Sequence, residues 1–467
     1  MDGLEFSEVQ YSKIEKENRY DSEYFQKVFF ENETLICKHQ HFRIGNYFKV
    51  TDGEHGSVQY MDQGVKYLTA ENIKHGYVDV SNVRYVSQYV NIKNARASVE
   101  AEDILISIKG TLGSMAIAEG SLVPCNMNRD VAILKPLNRN TSLNSYVAYF
   151  MMSKYGLLQS SRGGSGGVQQ MITLERLRQF IVPQLGSDFY RAMSQITQDF
   201  NWLRKQSASF YTEAENCLQN QLNINVSTIS SACEKSLSAS FGISGRLDAE
   251  YYHPKYDALF STLSKHKTMP LGGSRGLVSI MKSIEPGSEA YLEQGVPFIR
   301  VSDVDKYEIS TPPIMLSKDI VPNIKDLYPK KDTILLSKDG SIGIAYKLEK
   351  DMEAVTSGAL LHLTVKDSNV VLPDYLTLVL NSPIVQLQAE RDCNGAIIQH
   401  WKPSDIEKVL IPILDMSVQR EIASKVQESF RLREESKRLL DLAVKTVEMA
   451  IETDEETALT WLGAQNA

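Results

Sequence analysis

The chain has 467 residues, 42% of them hydrophobic and 23% charged, and a formal net charge of -8. That length predicts about three units at roughly 150 residues each, and no run approaches the roughly 18 apolar residues of a membrane span. The acidity argues against a simple electrostatic nucleic-acid binder, whose footprint is a basic domain; residues 1–185 carry 20 basic and 20 acidic side chains, and no large piece is basic. The N-terminus, Met1-Asp2-Gly3-Leu4-Glu5, lacks the basic start and apolar core of a signal peptide. Five dispersed cysteines, at 37, 125, 217, 233 and 393, form no CxxC pair and predict a reducing, cytoplasmic setting.

In chain order, four blocks occur twice. Arg19-Tyr20-Asp21-Ser22-Glu23-Tyr24-Phe25 returns as Arg246-Leu247-Asp248-Ala249-Glu250-Tyr251-Tyr252. A β-rich run with a polar turn, residues 64–73, returns at 295–304. Asp103-Ile104-Leu105-Ile106-Ser107, followed by Lys109-Gly110-Thr111-Leu112-Gly113, returns as Asp332-Thr333-Ile334-Leu335-Leu336-Ser337, followed by Lys338-Asp339-Gly340-Ser341-Ile342-Gly343. Each copy reads as strand, glycine turn, strand. Residues 168–183 return at 398–412, and Thr173 and Ser404 have the look of helix N-caps. Offsets of 227 to 231 make this a duplication. Helical stretches are expected at 145–158 and 373–387, so each copy is an α+β unit.

A long helix is expected after each copy. In 187–222 the apolar series Phe189, Met193, Ile196, Phe200, Leu203, Phe210, Ala214 and Cys217, with Ser207 as its polar member, steps by four and three, the seam of a helix lying along another. The second runs from about 418 to 451. The expected architecture is two tandem strand-rich domains separated by two antiparallel helices in a coiled coil, a pseudo-two-fold repeat. Its parts are 1–185, a central helix 186–225, 226–415, a second helix 416–452 and a tail 453–467. The Ser-rich run 227–240 leaves the path into the second domain open.

No catalytic constellation holds up. Gly163-Gly164-Ser165-Gly166-Gly167 follows no strand-to-helix nucleotide pattern. His39 and His41 lack metal partners at ligand spacing, and Ser107 and Ser337 recur without a recurring histidine. What recurs suits contact: the glycine loops Gly110-Thr111 and Gly340-Ser341, with Lys109 and Lys338 beside them, are able to hold phosphate. A plain tight turn is the equal alternative. Arg129 and Arg300 suit guanine edges, and Asn126 with Asn128 suits adenine.

Blocks 103–118 and 332–345, 64–73 and 295–304, and 170–183 and 399–412, each set followed by a long helix, resemble the specificity (S) subunits of type I restriction–modification systems. Pro403, standing where the first copy has Leu174, departs from the pattern. The resemblance implies two target-recognition domains, each reading one half of a split double-stranded DNA sequence. It implies two methyltransferase subunits docked on the chain, which supply S-adenosylmethionine and adenine methylation, with a restriction–translocase subunit as a further component. The chain itself would bind no cofactor or metal and carry no catalytic residue. A specificity subunit of a type IIB or other methylation-based defence system shares these features. A coiled-coil scaffold with protein-binding ends is the alternative of another class.

Overall fold

A computed structural model describes residues 7–17, 19–110, 113–139, 142–165, 171–223, 234–320, 322–393 and 399–466. Thr111, Gly166, Gly167, residues 168–170, Cys233 and the 227–233 part of the Ser-rich run lie outside the described residues. The chain divides into two compact units, one of residues 1–203 with 435–467, the other of residues 204–434.

The first unit has a four-stranded antiparallel sheet, in the order Phe48–Asp52, Val131–Pro136, Ile104–Ser107, Met115–Ile117. A second sheet has the order Arg84–Val86, Val65–Leu68, Cys125–Met127, with the last pair parallel. His41–Arg43 pairs with Ile181–Pro183. The second unit repeats this topology. Its four-stranded sheet runs Val278–Lys282, Leu360–Val365, Ile334–Ser337, Ala345–Lys347. The second sheet holds Met315–Leu316, Val296–Ile299 and a parallel Val355–Thr356, plus an added edge, Tyr291–Leu292. Thr268–Pro270 pairs with Leu410–Pro412. The doubled motif strands are central: Ile104, Leu105 and Ile106, and likewise Ile334, Leu335 and Leu336, are wholly buried.

The expected helix 145–158 is two helices, Leu143–Met152 and Lys154–Gly163, and its counterpart is Pro373–Asn381 and Pro383–Asp392. Each break falls at a serine with extended backbone, Ser153 and Ser382. Its hydroxyl donates to the Phe150 carbonyl or the Val379 carbonyl, at 2.6 Å in both units. A side chain that satisfies a terminal carbonyl lets the chain turn without leaving it unpaired. The amide of Gln159 then bonds both the N–H and the carbonyl of Ile181, and Gln388 does the same for Leu410. Thr173 caps its helix, its hydroxyl accepting from the Arg176 N–H. Ser404 does not: Pro403 takes the first helical position, which its locked φ favours, and the cap moves back to Lys402.

The long helices are Ser187–Leu222 and Met416–Glu452, and each contributes one part to each unit. Within the second unit Ser207 and Ser429 bond reciprocally, each hydroxyl donating to the other's carbonyl at 2.8 and 2.7 Å. Lys425 pairs with Glu213 at 2.7 Å. The partner number falls as the first rises, so the helices are antiparallel there. The buried stripe departs from the expected heptad after Ser207: Ala214 stays on it, but Tyr211, Leu218 and Leu222 take the buried positions while Phe210 and Cys217 are only partly buried. An ideal helix has 3.6 residues per turn, so a strict 3.5-residue seam drifts off the face unless the pair supercoils to follow it. Residues 455–466 form a further helix, and Glu455 accepts from the Gly186 N–H at the start of Ser187–Leu222. No helix is long and apolar enough to cross a membrane among the described residues.

Candidate nucleic-acid interface

In the first unit the glycine turn joins Ile104–Ser107 to Met115–Ile117. Gly110 and Gly113 both have φ +84°, a left-handed conformation that disfavours any side chain. A Cβ on Gly113 would also lie 2.8 Å from Leu157. The turns of the second unit match, with φ +75° at Gly340 and +78° at Gly343. The recurring serines are structural. Ser107 donates to the Lys109 carbonyl, while Ser337 donates to the Ser341 carbonyl and accepts from the Ile344 N–H.

Backbone bonds draw three further segments to this edge. The Ile108 N–H donates to the Asp130 carbonyl, Arg129 N–H to Glu54, and Asn128 N–H to Leu68. The second unit has the same mesh: Lys338 N–H to Ala359, Gly358 N–H to Ile284, and Ser357 N–H to Ile299. The mesh sets the correspondence between units, and it differs from the one the lysines suggest. Lys338 is the counterpart of Ile108, and Asp339 that of Lys109. Lys109 forms an isolated bridge with Met171, and Asp339 forms one with His400.

The site residues therefore fare unequally. Lys109 is partly exposed, 3.9 Å from Asp130, and Gly110 is exposed beside it. Gly340 and Ser341 are exposed at the matching turn. Lys338 is a correction: it points inward and is about nine-tenths buried, with its ammonium on Asp339. Asp339 also accepts from His400 at 2.8 Å. Burial pushes the Asp339 carboxyl up, but the hydrogen bonds from Lys338 and His400 outweigh it and hold it below the usual carboxylate range. Asn126 is a second correction. It is 0% exposed, and its amide is spent on Asn91, the Asn94 carbonyl and the Met127 N–H. It ties the strand Cys125–Met127 to the segment at Asn91 and Asn94. Asn128 is engaged in a local turn with Asp130. Arg129 is exposed, with no hydrogen bond or ion pair from its side chain among the described residues; its counterpart is Gly358. Arg300 sits at the cap of a short turn, with its Nε 3.5 Å from Asp303, and its counterpart is Thr69.

Two features were not legible in the sequence. The Arg84 guanidinium lies over the exposed Tyr60 ring at 4.7 Å, and Tyr60 packs against Tyr67 on the strand beside this edge. Their separation of 24 residues carried no pattern. His400 stood in a repeated block, but only the bridge to Asp339 shows its partner. No group of three or more His, Cys, Asp or Glu positioned to hold a metal occurs among the described residues.

The fold is thus a doubled α+β unit with a glycine turn at the edge of each four-stranded sheet. The chain belongs to the family of the type I restriction modification DNA specificity domain, whose profile matches residues 40–184 and 279–440, more than half of the chain. The specificity subunit of the type I restriction enzyme EcoBI from Escherichia coli is 22% identical over 148 residues, 32% of this chain and 31% of that protein, so the match spans under a third of that relative's length. Among solved structures, the S subunit of a type I restriction-modification system from M. genitalium is 13% identical, over 88% of this chain and 94% of that one, with a TM-score of 0.38. The HsdS subunit from Thermoanaerobacter tengcongensis is 14% identical, over 89% and 97%, with a TM-score of 0.29.

Proposed function

We propose that this chain is the DNA-recognition subunit of a type I restriction–modification complex, reading a bipartite duplex target with one half assigned to each repeat. The observation that carries this is the pairing of one scaffold with two different surfaces. The backbone mesh around the glycine turns is the same in both units, while the side chains at matching positions differ: Lys109 against Asp339, Arg129 against Gly358. A duplicated scaffold with unlike side chains is what two unlike half-sites require, because base edges are read by side chains and phosphates are held by shared elements.

The reading assigns 1–185 and 226–415 to the two recognition domains, and the helices 186–225 and 416–452 to the spacer between half-sites. Two methyltransferase subunits dock on the chain and bring S-adenosylmethionine; a restriction–translocase subunit completes a cutting complex. The chain contributes no catalytic group and binds no cofactor. With a net charge of -8, it relies on those partners for much of the positive field that DNA needs.

Methylome sequencing of a host with and without this gene tests the proposal. One split motif should lose methylation on deletion, and replacing residues 1–185 with the matching part of a relative should change one half of it. An unchanged methylome, or a change in both halves, overturns the reading.

A further inference from the structure

In each unit one hairpin runs from the recognition edge to the long helices. In the first it spans 72–79. The Thr69 N–H donates to the Asn72 side chain, Asn72 donates to the Asp79 carbonyl, and Ile73 bridges Val78. In the second it spans 303–310, with the Arg300 N–H on the Asp303 carboxylate, Ser310 bonded back to Asp303, and Val304 bridging Ile309. Each hairpin begins where a strand of the second sheet ends, and the last residues of those strands, Leu68 and Ile299, accept from Asn128 and Ser357 of the DNA-facing loops.

The other end of each hairpin rests on helix side chains. Gly76, at φ +89°, lies so close that a Cβ there would be 2.8 Å from Leu440 and 3.2 Å from Phe200. Its N–H donates to the Met115 carbonyl, on the strand that leaves the glycine turn. In the second unit the tip residue is Tyr307. Its ring lies 4.0 Å from the Arg433 guanidinium and 4.9 Å from the Tyr211 ring, edge to face. Beside it Lys306 pairs with Glu215 at 3.6 Å. The chemistry of the two tips differs, but the connection they make is the same: loop, strand end, hairpin, helix.

We infer that these hairpins are braces that fix the angle of each DNA-reading edge on the helix pair, and that Gly76 and Tyr307 are positioning residues for half-site spacing. The inference rests on the DNA-recognition reading above. A short, internally hydrogen-bonded hairpin is stiff, and an aromatic ring held between a cation and a second ring has little freedom to slide. Without the tip contact the edge is free to tilt, and a tilt changes the distance at which a second half-site is met.

The test is the methylome of a host in which the full chain, with its methyltransferase, carries Tyr307→Ala, Tyr307→Leu or Tyr307→Phe. The wild type should methylate one spacer length. Tyr307→Ala and Tyr307→Leu should raise methylation at sites one base pair longer or shorter by about tenfold, the change expected for roughly 1.4 kcal/mol of lost discrimination. Tyr307→Phe, which keeps the ring, should restore the single spacer. Tyr307→Leu decides the matter if Tyr307→Ala does not accumulate. Variants that melt earlier yet keep one spacer overturn the inference and leave the recognition reading intact. A wild type that marks no split site overturns both.

Discussion

Lys109 and Asp339 occupy the same position in the two units: each bridges the segment that leads into the next helix, and each directly precedes the first left-handed glycine of its turn. One is a cation near solvent, and the other is a carboxylate held by Lys338 and His400. The two glycine turns therefore cannot hold phosphate in the same way. Lys109→Ala should lower the salt slope of DNA binding by about one. Lys338→Ala should leave the slope unchanged and lower the stability of the second unit, since it strips a partner from Asp339. Titration of the assembled complex at two salt concentrations, beside a denaturant melt, checks both.

Arg129 projects from the first unit, whereas its counterpart Gly358 is buried beneath Glu285 and Lys282. Arg129→Ala should cost about 1–3 kcal/mol on the cognate duplex and relax one base position. Arg300→Ala should act on the cap with Asp303 and leave base preference unchanged. Singly altered duplexes separate the outcomes; equal weakening on every duplex would make Arg129 a phosphate contact.

The units bury opposite charges beside the same strand. In the first, Asp103 is fully buried, with Arg139 at 2.7 Å and Lys135 at 3.1 Å. In the second, Lys347 is buried among Glu349 at 3.0 Å, Asp374 at 3.1 Å and Asp332 at 3.4 Å. Burial lowers the Lys347 pKa, but Asp374 and Glu349 reverse this and raise it. Lys347→Met should cost about 3–5 kcal/mol, because it leaves a buried carboxylate unpaired. Urea unfolding, followed for each unit, measures it.

His362 sits in the central sheet of the second unit, bonded to Thr356 at 2.8 Å. Burial pushes its pKa down to about 4. An unfolded histidine takes up its proton near pH 6.5, so the unfolded state binds more protons between those values. Stability is therefore full above pH 6.5 and falls by about 3 kcal/mol as the pH drops to 4. The counterpart of His362 is Ile133, so the loss should fall on the second unit. His362→Ile should flatten the profile, as read by unfolding midpoints across pH 4 to 7.

The duplication, the strand–turn–strand motif and both long helices were written in local pattern: apolar runs bounded by glycines, and a four-three spacing. Local sterics and periodicity specify such elements, so the sequence alone determined the repeated α+β architecture and, through its motifs, the family. It did not determine which of the two lysines is exposed. Lys109 and Lys338 look alike beside their glycines, and only the pairing of strands across more than twenty residues shows that one faces out and the other in. Asn126 likewise reads as a polar, base-facing side chain until a parallel strand and the segment around Asn91 and Asn94 close over it. Exposure and partnership arise from contacts distant in sequence. Tertiary structure decided those, and with them which of the candidate side chains are exposed.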